Sequence, residues 1–152
     1  MKYTQNVILN NDFSIVKNSF QDIKFLQYLI KWQPVKLISW DGIKNNDKAH
    51  LKIWFLGWKD FKVIHKFNEE SDIILSFTDI GNHLPLGLSH WEHHHIIKKK
   101  NTKVVVTDDL KFEHQYYLIG LLLYVPLIFP IFIRKFFYKI YFKKINNHDK
   151  KD

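Results

Sequence analysis

The sequence predicts one α+β domain in which a curved antiparallel sheet of about seven strands wraps around a long C-terminal helix. Three observations lead to this fold class. Segments of alternating polar and apolar residues, typical of half-buried strands, fill the middle of the chain. A helical pattern follows the first such segment, and a long apolar stretch closes the chain. Because a sheet with one apolar face needs a cover, we expect the helices at the two ends to supply it.

The predicted elements follow one another along the chain. Residues 2–9 form the first strand. Asp12 is suited to cap helical structure from residue 13 to about 32, which a polar break at Gln21 and Asp22 divides into two short helices. The strands that come next are separated by polar reversals and span residues 35–40, 49–55, 58–67, 73–80, 88–97 and 102–112.

The last apolar segment permits two interpretations. Residues 116–133 contain no charged side chain and basic residues follow them, an arrangement that approaches a membrane span. Against this, Gly120, Pro126 and Pro130 interrupt the stretch, and an amphipathic helical pattern follows Pro130. We therefore expect residues 120–145 to form a core helix, kinked or started at a proline. Membrane attachment through residues 116–133 is the alternative.

The composition predicts one domain over residues 1–145 and a polar tail over residues 146–152. The chain has 152 residues, of which 46% are hydrophobic and 16% aromatic, enough to bury a core and too apolar for a disordered chain. No repeat and no Gly/Ser linker divides it. Such an aromatic excess suits a wide, concave interior.

The net charge of +8 is scattered along the chain, apart from residues 98–100 and the residues after Arg134, so we expect no nucleic-acid partner. Without cysteine there is no disulfide, thiol nucleophile or zinc–thiolate site, which fits a cytoplasmic protein. The N-terminal residues lack the apolar core of a signal peptide. The sequence leaves the oligomeric state open.

The second half of the chain resembles a known family. Residues 77–79 read Phe-Thr-Asp, residues 91–97 read Trp-Glu-His-His-His-Ile-Ile, and residues 108–112 read Asp-Asp-Leu-Lys-Phe. This order resembles the SRPBCC (START-like, pollen-allergen-like) ligand-binding proteins of bacteria, with their W-x-H-x-H-x-F strand and later D-x-v-x-Y strand. The resemblance implies the helix-grip fold and a hydrophobic small-molecule pocket. Ile97 replaces an aromatic residue, and Lys143 or Lys144 stands for the family's arginine.

Strand periodicity sorts the polar residues near the predicted last hairpin. With a reversal at residues 99–101, His93 lies opposite Asp108 on a face that is otherwise apolar. The same register places Trp91 opposite Leu110 and His95 opposite Val106. His90 and His94 point to the other face.

The polar residues on this face permit three interpretations. His93 and Asp108 satisfy each other, since an unpaired buried polar group costs about 1–3 kcal/mol. Alternatively, they orient a ligand in the pocket. Two histidines and one carboxylate also suit a metal ion, but His90 and His94 point away, so we predict neither a metal nor another cofactor.

The predicted function is the binding or carriage of a hydrophobic small molecule, lipid-, polyketide- or aromatic-like, between the sheet and the C-terminal helix. The alternative is a cyclase- or dehydrase-type enzyme that uses His93 or His95 with Asp108, as the resemblance implies. The chain lacks a nucleophile elbow and a phosphate-binding glycine loop, so a non-catalytic protein is favoured. The predicted ligand-binding residues are Phe61, Val63, His65, Phe77, Trp91, His93, His95, Val106, Asp108 and Leu110.

Overall fold

A computed structural model describes residues 1–148, so residues 149–152 of the predicted polar tail lie outside the described residues. Strand β1 (Lys2–Leu9) precedes two short helices, α1 (Phe13–Phe20) and α2 (Ile23–Ile30). Six further strands and one long helix follow. They are β2 (Val35–Trp40), β3 (Lys48–Trp54), β4 (Trp58–Glu70), β5 (Ile74–His83), β6 (Leu88–Lys100), β7 (Lys103–His114) and α3 (Tyr117–His148).

All seven strands join one antiparallel sheet with the order β1-β7-β6-β5-β4-β3-β2. Strands β2 to β7 form a meander in which each strand pairs with its neighbour in sequence, whereas β1 pairs with β7 at the far edge. The first strand is thus held beside the last. The predicted fold class, a seven-stranded curved sheet with two short helices and a long C-terminal helix, is confirmed.

The inward face of the sheet carries two apolar groups of side chains. One group, around Phe25, Ile97 and Phe142, lies where α1, α2 and the C-terminal half of α3 pack on the sheet. The other, around Trp91 and Phe112, packs against the N-terminal half of α3. The polar inward residues of β1 and β4 to β7 lie between these groups, because the alternation of each strand places them there.

These polar residues form a continuous row across five strands, which we call the polar belt. Cross-strand pairing places Gln5 opposite Asp108, Asp108 opposite His95, and Asp79 opposite both His93 and His65. His93 and His95 are next to each other on the inward face of β6. All of them except Asp79, which is partly exposed, are buried. The polar belt consists of Gln5, His65, Asp79, His93, His95 and Asp108.

Helix α3 lies along the sheet but leaves much of its apolar surface uncovered. It begins at Tyr117 rather than at a proline, and both Pro126 and Pro130 lie inside it. It continues into the predicted tail to His148. By length and mean hydropathy α3 is long and apolar enough to cross a membrane. Only 28% of its most apolar stretch is buried, so most of that stretch is uncovered. The exposed apolar face of α3 comprises Tyr117, Leu118, Leu122, Val125 and Phe129, which are 50–80% exposed.

Candidate functional site

A cavity of about 150 Å³ lies between the sheet and helices α2 and α3. Its walls are mainly apolar, and they are contributed by strands β2 to β6. Four members of the polar belt, His65, Asp79, His93 and His95, face it together with Arg134 of α3. The apolar residues that line the cavity include Ala49, Phe61, Val63, Phe77, Trp91 and Ile131.

The structure divides the ten predicted ligand-binding residues into two groups. Phe61, Val63, His65, Phe77, Trp91, His93 and His95 line the cavity. Val106, Asp108 and Leu110 do not line it: they share the inward face, but each is fully buried. The physical reason is that α3 packs directly on β1 and β7, so the space beneath it opens only over the other strands.

The predicted register of the last hairpin is wrong by two residues. His93 lies opposite Leu110, His95 opposite Asp108, and Trp91 opposite Phe112. The strands extend to Lys100 and Lys103, leaving a tight turn in which Asn101 takes φ 56°, a conformation that asparagine tolerates. A shift of two residues keeps every side chain on its predicted face, so the inward orientation of both histidines and of Asp108 is as expected.

Asp108 is the centre of the polar belt and is fully buried. Its Oδ1 lies 3.1 Å from His95 Nδ1 and 3.2 Å from His93 Nε2. Its Oδ2 accepts a hydrogen bond of 2.9 Å from Gln5 Nε2, and the Tyr138 hydroxyl donates at 3.3 Å. The carboxylate therefore joins β1, β6, β7 and α3 through one set of contacts.

Asp79 forms a second carboxylate on the cavity side of the same histidines. Its Oδ2 lies 3.3 Å from His95 Nε2 and 4.0 Å from His93 Nδ1. Its Oδ1 is 2.8 Å from His65 Nδ1, but the two atoms lack hydrogen-bonding angles. Among the described residues, both ring nitrogens of His65 and Asp79 Oδ1 have no hydrogen-bond partner, although they are buried.

The two adjacent histidines have opposite electrostatic environments. Burial disfavours the charged form of both rings. For His95 the two flanking carboxylates outweigh burial and raise its pKa to about 9. For His93, burial and the neighbouring charge of His95 lower its pKa to about 4 despite the Asp108 contact. Burial alone would raise the pKa of Asp79 and Asp108, but the histidines hold both pKa values well below the usual range.

Arg134 is the chain's only arginine, and it faces the cavity. Its buried Nε has no hydrogen-bond partner, and no carboxylate lies within 4 Å of the side chain among residues 1–148. Lys143 and Lys144, which resemble the family's arginine in the sequence, are exposed on α3. Arg134 is the basic residue that lines the cavity.

Sequence reasoning missed Asp79, Gln5, Tyr138 and Arg134. Asp79 could have been found, because it lies two positions from Phe77 on a predicted strand and so shares its face. No feature of the sequence indicated Gln5, because its hydrogen bond to Asp108 depends on the pairing of β1 with β7. Tyr138 and Arg134 depend on how α3 is rotated about its axis over the sheet.

No protein-family model matches the sequence, and no curated protein matches it. Solved structures do match its fold. Norcoclaurine synthase from Thalictrum flavum, solved with a transition-state analogue, superposes with a TM-score of 0.65 at 11% identity, covering 96% of each chain. The same enzyme in complex with dopamine and hydroxybenzaldehyde gives 0.62 at 12% identity, covering 97% of this chain and 87% of that one.

A START superfamily protein from Mycobacterium smegmatis superposes with a TM-score of 0.54 at 12% identity, covering 76% of this chain and 79% of that one. The chain therefore has the helix-grip fold of the START-like proteins. The resemblance seen in the sequence is confirmed at the level of the fold.

Proposed function

We propose that this protein binds a small hydrophobic molecule about the size of one aromatic ring in the cavity beneath α3. The observation that carries the proposal is the apolar cavity of about 150 Å³ with polar groups gathered on one part of its wall. Ligand pockets combine apolar walls with a few polar groups that fix orientation. An engineered apolar cavity of about 150 Å³ binds benzene, so the volume suits a single ring better than a long acyl chain.

The aromatic preference has support from the walls and from a fold neighbour. Phe61 and Trp91 meet edge to face at 5.1 Å beside the cavity, and Phe77 stacks on His95 at 4.6 Å. Such rings offer both faces and edges to an aromatic guest. The norcoclaurine synthase complex holds dopamine and hydroxybenzaldehyde, two single-ring compounds, in the same fold.

The polar part of the ligand is expected to lie at Arg134 and the cavity-facing belt residues. A half-buried guanidinium with no carboxylate beside it among residues 1–148 favours an anionic or strongly accepting group, because Arg donates to carboxylates in a bidentate geometry. We therefore favour a ring that carries a carboxylate or phenolate over a plain hydrocarbon.

The test is a binding series on the purified protein. Benzoate-sized acids, two-ring acids and long-chain fatty acids compete with a fluorescent apolar probe, and native mass spectrometry detects any co-purified compound. The Ala49→Ile variant, which fills the cavity, should abolish binding. Val106→Ile is the matched control, because it adds a methyl-sized group at a buried residue that does not line the cavity. Equal binding by both variants would place the ligand elsewhere.

Catalysis in the same cavity is the second candidate. It is favoured by His95 and Asp79, an imidazole and a carboxylate 3.3 Å apart that both face the ligand space. Such a pair can move a proton to or from a bound substrate. Turnover of a bound aromatic aldehyde or amine that is lost in His95→Gln, while binding persists, would establish this function in place of simple carriage.

A further inference from the structure

Three donor atoms converge at the polar part of the cavity wall. Asp79 Oδ2 lies 3.3 Å from His95 Nε2 and 4.0 Å from His93 Nδ1, and the three residues offer ligand atoms within 4.8 Å of one another. Around a tetrahedral ion with ligand bonds of about 2.0–2.2 Å, neighbouring donor atoms are about 3.3–3.5 Å apart. One pair already has this spacing, and the donor atom of His93 needs to approach the other two by no more than about 1.5 Å.

The opposite nitrogen of each histidine faces a second carboxylate. His95 Nδ1 is hydrogen-bonded to an Asp108 oxygen at 3.1 Å, and His93 Nε2 lies 3.2 Å from the same oxygen without hydrogen-bonding angles. Metal-binding histidines characteristically have a carboxylate at the other ring nitrogen, which fixes the tautomer and orients the ring. Asp108 is itself held by Gln5 and Tyr138, so it fits the role of this outer carboxylate.

An independent observation is the set of buried polar atoms without partners beside Asp79. Among residues 1–148, Asp79 Oδ1 and both ring nitrogens of His65 have no hydrogen bond. Most buried polar atoms in folded proteins are paired. His65 Nδ1 and Asp79 Oδ1 lie 2.8 Å apart, so a small rotation would let His65 hold the second oxygen of a metal-bound Asp79 carboxylate. His65 Nε2 is then the buried atom for which residues 1–148 supply no partner.

We propose that Asp79, His93 and His95 bind one divalent transition-metal ion, with Asp108 and His65 orienting the ligands. Two imidazoles and one carboxylate suit Zn²⁺ or Fe²⁺, whereas Mg²⁺ and Ca²⁺ prefer oxygen ligands alone. Three protein ligands leave coordination positions open, and all three residues face the cavity. The ion would therefore be accessible to a molecule bound there. From the sequence alone, the candidate metal ligands were the two histidines and Asp108. In the structure Asp108 contacts the histidine nitrogens that face away from Asp79 and does not line the cavity.

The experiment uses the full chain after treatment with a chelator, without any organic ligand. Co²⁺ is titrated and followed by its visible absorption, and Zn²⁺ is titrated by calorimetry. The wild type should bind one ion per chain, and Zn²⁺ should raise its melting temperature. Asp79→Asn should remove binding, and Asp108→Asn should weaken it by about 10–100-fold. His94→Gln is the matched control, because His94 lies between the two ligands on the outward face of β6.

Two results would overturn the proposal. One is a wild type that binds neither Co²⁺ nor Zn²⁺, and the other is an Asp79→Asn variant that binds as tightly as His94→Gln. If Asp79→Asn does not fold, His93→Gln serves the same purpose, with circular dichroism to verify the fold. The Ala49→Ile variant separates this site from the proposed ligand cavity, since it should block the organic ligand and retain the metal.

Discussion

The Asp108 carboxylate and the His95 imidazole lie directly opposite each other on β7 and β6, joined at 3.1 Å in the protein interior. Gln5 and Tyr138 complete the environment of Asp108. Residues of four elements, β1, β6, β7 and α3, thus hold the pair in place.

Replacing Asp108 should destabilise the protein, and the loss should be larger when the new side chain accepts fewer hydrogen bonds from Gln5, His95 and Tyr138. Asp108→Ala removes the acceptor of His95 Nδ1, of the Tyr138 hydroxyl and of one Gln5 Nε2 hydrogen bond in the protein interior, so we expect a loss of about 3–5 kcal/mol in the free energy of unfolding. Asp108→Asn should cost less, because its amide oxygen still accepts a hydrogen bond. Urea denaturation measures both. In a double-mutant cycle with His95→Ala, the two losses should not be additive; additive values would show that the contact carries no coupling energy.

The metal-free protein should lose stability as the pH rises through about 9. The pKa of His95 is raised from its ordinary value of 6.5 to about 9 in the folded state. Its contribution is therefore fully present below the unfolded pKa of about 6.5 and lost as the pH rises through the folded pKa. The loss is on the order of 3 kcal/mol.

Melting temperatures measured from about pH 6.5 to about pH 9.5 in the presence of a chelator test this expectation. His95→Gln should flatten the profile over this range. His94→Gln, whose side chain lies on the outward face, should keep the wild-type slope. An unchanged profile in His95→Gln would assign the pH dependence to other groups.

Trp91→Ala should enlarge the cavity and weaken the fold together. Trp91 is 8% exposed and packs edge to face on Phe61, so its removal should cost about 3–5 kcal/mol. The variant should also accept two-ring compounds that the wild type excludes. A thermal-shift series with one-ring and two-ring acids measures both effects. Unchanged size selectivity would show that Trp91 does not limit the ligand space.

The exposed apolar face of α3 should bind lipid vesicles. Leu122 and Val125 are 80% and 70% exposed, so replacing both with Asn should change the stability by no more than about 0.5 kcal/mol per site. The same change should strongly reduce co-sedimentation with vesicles, and Lys135 and Lys139 should make wild-type binding stronger on anionic lipids. Ile8→Asn, at an exposed apolar residue of β1, is the control. Equal effects of both changes would contradict a specific membrane-contacting face.

The order of elements could be predicted because turn residues and alternation define it locally. Strands β1 and β2 match the prediction residue for residue. The ends of β4 and β6 were placed too early, because Glu69, Glu70 and the lysines at 98–100 resemble loops by composition. In the structure these charged residues belong to the ladder and are exposed.

The site was only partly predictable, because its geometry comes from contacts between distant segments. Alternation alone placed His65, His93, His95 and Asp108 inward. It gave no information on which of them face open space, since that depends on where α3 rests. The two-residue register error arose from a single turn, in which Asn101 adopts a left-handed conformation and shortens the loop.

The union of β1 with β7 also determines when this protein can fold during its synthesis. Gln5 contacts Asp108 and the Ile131 carbonyl, partners 103 and 126 positions away. While the ribosome is still translating the meander, the first strand has no neighbour and the inward face of the sheet has no cover. Non-local pairing of this kind is slow to form and leaves apolar surface exposed. The nascent chain should therefore depend on chaperones until α3 emerges, and then complete its sheet, cavity and polar belt in one cooperative step.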